Sequence, residues 1–129
     1  MADVAAVQRW LDAYVAAWRS NDRADITALF TEDAVYRPLP YDQPLRGGEA
    51  TARAWIADPD PPGSWTADYQ AVAATGEVGV GRGVTRYRAG GGRPEREYAN
   101  VFVLRFDEQG RCHDYVEWLV KRPGKSSGS

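Results

Sequence analysis

The spacing of apolar residues changes from a helical to a strand period halfway along the chain, and this change limits the fold more than any other feature. In the first segment, apolar residues recur at steps of three and four, which predicts an amphipathic helix between Asp3 and Asn21. They are Val4, Val7, Leu11, Tyr14, Val15 and Trp18. Asp3 is a favourable N-cap residue, and Asn21-Asp22 supplies a stop followed by a new cap.

Two shorter helices are predicted after this one. Their apolar residues are Ile26, Leu29 and Phe30 in the second helix and Ala52, Trp55 and Ile56 in the third, which starts after Gly47-Gly48. The segment DAVYRPLPYDQPLRGG lies between them and contains three prolines and two glycines. Because proline and glycine disrupt helices, this segment leaves room for two short extended pieces.

The second half reads as four strands: SWTADYQAVAAT, EVGVGRGVTRYRA, PEREYANVFVLRFD and RCHDYVEWLV. Short turns separate them, which favours antiparallel pairing. Three helices followed by such a sheet predict an α+β domain over residues 1–123, with the polar tail 124–129 disordered. We expect a cone, in which three N-terminal helices pack inside a strongly curved antiparallel sheet of four long strands plus short N-terminal strands.

Composition and charge narrow the classes of function. A net charge of −2 gives no electrostatic case for nucleic acid or an anionic membrane. A single cysteine, Cys112, excludes an internal disulfide and fits a cytoplasmic protein. We expect no signal peptide and no membrane span, since no apolar run approaches the required length. The only histidine, His113, has no cysteine cluster beside it, so neither a metal nor a cofactor is expected.

Three segments together resemble the nuclear transport factor 2-like superfamily, in its SnoaL-like branch: YVAAWRSNDRADITALFTEDAVYRP, PLRGGEATARAW and YANVFVLRFDEQGRCHDYVEW. The resemblance covers residues 4–122, nearly the whole domain. This superfamily is similar in fold across ketosteroid isomerases, limonene-epoxide hydrolase-like enzymes, polyketide cyclases, dehydratases and proteins without a catalytic role. The resemblance therefore implies an architecture rather than one reaction.

The ketosteroid isomerase pattern matches this chain at one of three functional positions. Those enzymes have a tyrosine in the first helix, and Tyr14 stands at the matching place. Their general-base aspartate falls in the segment Tyr36-Arg37-Pro38, and their second oxyanion-hole acid falls at about Phe102. The resemblance thus implies a role for Tyr14 without the two acids of that chemistry.

The epoxide hydrolase pattern matches better on the last strand. Those enzymes place an acid before an aromatic residue there, as Glu117 and Trp118 do in this chain. Their arginine and aspartate on the third strand align with Tyr98 and Asn100. The resemblance implies that water activation by two coupled carboxylates is either lost or reduced to one acid, Glu117.

The period-two alternation of the strands bears on the direction of the Glu117 side chain independently of any family. On the third strand, Asn100 shares a face with Tyr98 and Phe102, and on the last strand Glu117 shares a face with Tyr115. Either Glu117 points into a pocket beside Asn100, or it is a solvated or interface glutamate. In the first case burial raises its pKa toward the range that a general acid or base needs.

We expect an aromatic-lined pocket for an apolar small molecule, and two functions fit it. The first is an acid–base enzyme (hydrolase, isomerase or cyclase) in which Glu117, Asn100 and Tyr98 are catalytic. The second is a non-catalytic ligand-binding or accessory module with the same pocket. The predicted substrate-binding residues are Tyr14, Trp18, Tyr36, Tyr41, Trp55, Phe102 and Tyr115. If Glu117 points inward, the opposite sheet face is apolar and predicts a homodimer.

Overall fold

The computed structural model describes residues 2–123 as three helices and one six-stranded sheet, which confirms the predicted α+β cone. The helices are α1 (Val4–Ser20), α2 (Arg23–Thr27) and α3 (Gly48–Ala57). The strands are β1 (Phe30–Arg37), β2 (Leu45–Arg46), β3 (Trp65–Thr75), β4 (Val78–Tyr87), β5 (Arg96–Phe106) and β6 (Cys112–Lys121). The tail predicted to be disordered, residues 124–129, lies outside the described residues.

Helix α1 begins and ends where its sequence predicts. The Asp3 carboxylate accepts a hydrogen bond from the Ala6 amide at 2.7 Å, which satisfies one of the free amides of the first turn. Asn21 ends the helix in the left-handed conformation at φ 51°. The face that α1 buries consists of Val7, Trp10, Leu11, Tyr14 and Ala17.

Helix α2 is shorter than predicted, because the chain turns into a strand before Phe30. Asp22 caps the helix, which ends at Thr27. Phe30 is the first residue of β1 and pairs with Cys112 on β6, whose amide donates to the Leu29 carbonyl at 2.8 Å. The apolar spacing of Leu29 and Phe30 fits a helix, but pairing with a distant strand buries both side chains equally well and overrides it.

The sheet has the order β2-β1-β6-β5-β4-β3. Strands β3 to β6 form the predicted antiparallel meander. The sheet differs from the prediction at β1, which runs parallel to β6 and sets Tyr36 opposite Tyr115. No local turn signal marks a pairing between segments so far apart in sequence, so turns do not reveal the direction of β1.

Helix α1 packs against the inner face of the sheet, and two glycines of β4 allow its close approach. A Cβ atom on Gly79 would lie 2.5 Å from Cγ2 of Val7, and one on Gly81 would lie 2.8 Å from Cδ1 of Leu11. This end of the cone is therefore filled by the helix. Within residues 2–123, no helix is long and apolar enough to cross a membrane.

Candidate functional site

The alternation of β5 and β6 places Glu117 inside the cone. Glu117 is 7% exposed and Asn100 is 4% exposed, whereas their neighbours Val101 and Trp118 are 43% and 44% exposed on the outer face. The register sets Phe102 opposite Glu117 and keeps Asn100 one pair away on the same face. The structure therefore favours the pocket-facing interpretation of Glu117 over the solvated one.

Glu117 accepts a hydrogen bond on each carboxylate oxygen. The Asn100 amide Nδ2 donates to Oε2 at 2.7 Å, and the Tyr115 hydroxyl donates to Oε1 at 2.5 Å. Both donors are neutral side chains. The buried acid is thus hydrogen-bonded on both oxygens, as burial of a charged group requires, although its partners carry no charge.

Burial and hydrogen bonding act in opposite directions on this carboxyl group. Burial is the largest effect and raises the pKa of Glu117, while the hydrogen bonds from Tyr115 and Asn100 lower it, so that the pKa comes to about 7. The ordinary value is 4.5. Glu117 is consequently present in both protonation states near neutral pH.

A chain of hydroxyl groups extends the network on the Tyr115 side. The Tyr115 and Tyr14 hydroxyl oxygens are 3.1 Å apart, and the Tyr14 oxygen lies 3.5 Å from that of Tyr36. The Tyr115 hydroxyl is placed to donate both to Glu117 and to Tyr14, and its single hydrogen serves the shorter contact, to Glu117, when that carboxyl group is ionised. Burial raises the pKa of all three phenols, which keeps them protonated as donors.

A second chain reaches Glu117 through Asn100. The Thr85 hydroxyl donates to Oδ1 of Asn100 at 2.9 Å, and the Tyr69 hydroxyl lies 2.5 Å from that of Thr85. Because the single hydroxyl hydrogen of Thr85 goes to Asn100, Tyr69 must donate to Thr85. Donors thus converge on Glu117 from both sides, which favours its ionised form against the effect of burial.

The network opens into a cavity of about 560 Å³, a size that suits a small organic molecule. Glu117, Asn100 and Thr85 are buried polar side chains on its sheet wall. Its aromatic walls are Tyr14, Trp18, Tyr36, Trp55, Tyr69, Tyr87 and Tyr98. The charged side chains that line it are Asp42, Asp58, Asp60, Arg93 and Arg96. The cavity is therefore mainly aromatic, with one buried acid and a charged entrance.

The predicted site residues divide into those that line this cavity and those that do not. The lining ones are Tyr14, Trp18, Tyr36, Trp55, Tyr98, Asn100 and Glu117. Phe102 and Tyr115 are fully buried behind the wall, where Tyr115 holds Glu117 and Phe102 packs on Tyr69 with ring centroids 4.7 Å apart. Tyr98 packs edge-on against Tyr87 and is not a hydrogen-bond partner of Glu117.

Tyr41, unlike the other predicted substrate-binding residues, neither lines the cavity nor packs behind its wall. Its side chain is fully exposed in the segment between β1 and β2. The neighbouring residues Leu39 and Asp42 do line the cavity. In this irregular segment no strand or helix period fixes which side chains point inward, and proximity in sequence to Tyr36 is not sufficient.

Three lining residues of β3 and β4 are absent from the prediction: Tyr69, Thr85 and Tyr87. The sequence carries a signal for two of them, because Thr85 and Tyr87 share a strand face with Gly79 and Gly81 under period-two alternation. Glycines on that face leave room for a helix, so the larger residues farther along it face the same interior. Tyr69 can be placed only with the pairing of β3 and β4.

The SnoaL-like domain matches residues 11–115, and the chain belongs to this family. No curated protein matches the chain by sequence. The resemblance to the SnoaL-like branch of the nuclear transport factor 2-like superfamily is thereby confirmed.

Solved structures with the same fold include enzymes and enzyme-like proteins. An LEH-like epoxide hydrolase of M. tuberculosis superposes with a TM-score of 0.67 at 18% identity, covering 91% of this chain and 84% of that one. A ketosteroid isomerase-like protein from Erwinia carotovora atroseptica also has a TM-score of 0.67 at 18% identity, with coverage of 93% and 97%. At this level of identity the similarity establishes the fold alone.

Proposed function

We propose that the protein binds an apolar small molecule in its cavity and acts on it as an acid–base enzyme, with Glu117 moving the proton. One observation carries the proposal: a buried carboxyl group lines the cavity and has its pKa raised to about 7. Such a group both accepts and returns a proton at neutral pH. Perturbed acids in clefts are concentrated at functional sites.

In the proposed reaction, Glu117 acts in both of its protonation states. The ionised carboxylate removes a proton from a substrate carbon or from a water molecule held against the substrate. The protonated acid then returns a proton to the product, so the enzyme ends in the state in which it began. Hydrolase, isomerase and cyclase reactions share these two steps. The epoxide hydrolase and ketosteroid isomerase-like neighbours fall within the same range.

The neighbouring side chains have distinct proposed roles. Asn100 uses one amide hydrogen on Glu117, and its second amide hydrogen is available to orient substrate or water. Tyr98 and Tyr36 offer hydroxyl groups at the cavity wall. Tyr115 is a positioning residue, because it touches Glu117 and does not line the cavity. Trp18 and Trp55 supply the apolar walls that exclude water.

A non-catalytic binding module is the second candidate, and a specific observation favours it. Among the described residues, the hydrogen-bond partners of Glu117 are Asn100 and Tyr115, both neutral. Hydrolysis by two coupled carboxylates requires a second acid bonded to Glu117, and neither of these two partners is an acid. In a binding module the same network closes the cavity floor and holds a ligand without chemistry.

Glu117→Gln separates the two candidates, because it keeps the size of the side chain and removes its proton. On a substrate found by screening, we expect kcat to fall at least ~10²-fold while the substrate still binds. Glu108→Gln, in the exposed turn between β5 and β6, makes the same charge change away from the cavity and serves as the control. Unchanged turnover in Glu117→Gln excludes the shuttle, and ligand binding without turnover in the wild type supports the binding module.

We also propose that the protein is a homodimer through the outer face of the sheet. Apolar side chains on that face are Val101, Val103, Val116, Trp118 and Val120, three of them among the exposed large apolar residues. An apolar patch of this kind is typical of an association surface. Light scattering at tens of micromolar is expected to give a dimer mass that Trp118→Arg reduces and Val4→Arg, an exposed helix control, does not. A wild-type monomer contradicts this proposal.

A further inference from the structure

Two arginines line the cavity near the start of β5. Arg96 lies on the same strand face as Tyr98 and Asn100, so its side chain belongs to the inner wall. Its guanidinium carbon lies 4.4 Å from the ring centroid of Tyr87, which fixes the group against an aromatic wall. Arg93 lines the cavity beside it. The entrance thus carries a positive charge in a defined position.

The described residues provide no carboxylate within ion-pair distance of either arginine. Arginines on the outer face do have such a partner, since Glu97, the next residue along the strand, pairs with Arg86 at 2.8 Å and with Arg122 at 3.4 Å. Arg96 makes only a 3.4 Å hydrogen bond to the Pro94 carbonyl. A half-buried guanidinium on an inner wall is therefore left with donors that an anionic ligand could use.

Acidic side chains also line the cavity, one of them on the same side as the arginines, and they limit the charge that such a ligand can carry. Asp42 and Asp58 line the cavity but are exposed, and Asp60 already accepts a hydrogen bond from the Trp18 indole at 2.9 Å. These carboxylates repel a doubly charged group more than a singly charged one. The balance of positive and negative side chains at the entrance therefore suits a singly charged carboxylate better than a doubly charged phosphate.

We infer that the cavity takes an apolar molecule that carries a carboxylate, with Arg96 and Arg93 binding this group at the entrance. The inference rests on the proposed function and names its substrate class. A second cavity of about 470 Å³ shares Asp60, Tyr87 and both arginines with the first, so the carboxylate end has room beyond the aromatic walls. Arg96 is a specificity-determining residue in this account.

The strand geometry also sets the length of the molecule. Arg96 and Asn100 are four residues apart on β5, which places their Cα atoms on the order of 13 Å apart. Both side chains line the cavity. A ligand that contacts Glu117 with a polar group and Arg96 with its carboxylate is therefore about as long as two fused six-membered rings.

A matched set of three naphthalenes tests the inference by calorimetry. Each carries a hydroxyl group at one end of the ring system, and at the other end a carboxylate, a primary amide or an aminomethyl group. We expect the carboxylate to bind about 10-fold more tightly than the amide, by charge-assisted hydrogen bonds, and the preference to fall with added salt. The amine is expected to bind most weakly.

Variants of the entrance complete the test. Arg96→Gln is expected to reduce the preference for the carboxylate over the amide, Arg96→Lys to retain more of it, and the double variant Arg93→Gln, Arg96→Gln to abolish it. Arg86→Gln, which removes an outer-face arginine of the neighbouring strand, is the matched control. Equal binding of carboxylate and amide to the wild type, or tightest binding of the amine, overturns the inference while the Glu117 shuttle stands. Failure of all three compounds to bind overturns the inference and the proposed cavity ligand together.

Discussion

The closed and open ends of the cone are lined by the same face of β4, yet they are filled differently. At the closed end this face presents Gly79 and Gly81, and the apolar side of α1 packs directly on them. At the open end it presents Thr85 and Tyr87, which line the cavity. One strand face therefore changes from having no side chains to having polar and aromatic ones along its length.

The difference shows where this fold can hold an acid. At the closed end the helix packs on β4 through apolar side chains such as Val7 and Leu11. At the open end Thr85 holds Asn100, which in turn donates to Glu117. A carboxylate is tolerated there because the network satisfies it, but burial still raises its pKa to about 7.

The largest expected effect is on the free energy of unfolding, which the burial of Glu117 lowers at neutral and higher pH. Between its ordinary pKa of 4.5 and about 7, Glu117 is protonated in the folded state and ionised in the unfolded state. The folded state then binds more protons, so the free energy of unfolding falls as pH rises through this window. Glu117→Gln removes the titration. The free energy of unfolding of the Glu117→Gln variant, taken relative to that of the wild type, should rise by roughly 3 kcal/mol from pH 4.5 to about pH 8.

Chemical denaturation at a series of pH values measures this difference. Any constant effect of the substitution on the hydrogen bonds cancels in the comparison between pH values. Glu108→Gln should show no such change, since its side chain is exposed. If the free energies of unfolding of the wild type and of Glu117→Gln changed in parallel with pH, Glu117 would not be a buried acid with a raised pKa, and the open end of the cone would not differ from the closed end in this respect.

A smaller effect is expected at the closed end, from Gly79→Ala. The added Cβ meets Cγ2 of Val7 at 2.5 Å and Cε2 of Phe106 at 2.9 Å, and both neighbours lie in the core. Overpacking of this kind costs about 1–3 kcal/mol, independent of pH. Gly90→Ala is the control, because a Cβ there meets nothing within 4 Å. Thermal denaturation that gives equal stability for both variants contradicts the close packing of α1 on β4.

Much of the fold follows from local pattern. The caps Asp3 and Asn21 bound the first helix, and period-two alternation orders the inner face of β5 and β6. The same alternation shows that Asn100 and Glu117 can be neighbours on one face, but it leaves open whether that face is the inner one. These features depend on neighbours in sequence or across one turn, which is why the sequence predicts them.

The remaining features depend on contacts between distant segments. Phe30 belongs to a strand because β6 pairs with it, and the chain near Tyr36 runs parallel to that strand. Tyr115 is predicted at the ligand but lies behind the cavity wall, since its ring stacks on Tyr36 at 4.5 Å and on Tyr14 at 5.7 Å. The position of Tyr41 depends on an irregular segment without a period. Sequence pattern carries no information on such packing depth.

The most direct measurement is an NMR titration of the Glu117 carboxyl carbon in the wild type, Asn100→Leu and Tyr115→Phe. We expect a pKa of about 7 in the wild type, because burial outweighs the two hydrogen bonds. Each substitution removes one donor to the carboxylate and should raise the pKa further. A value near 4.5 in all three proteins would mean that Glu117 is solvated, and it would contradict both the buried network and the proton shuttle.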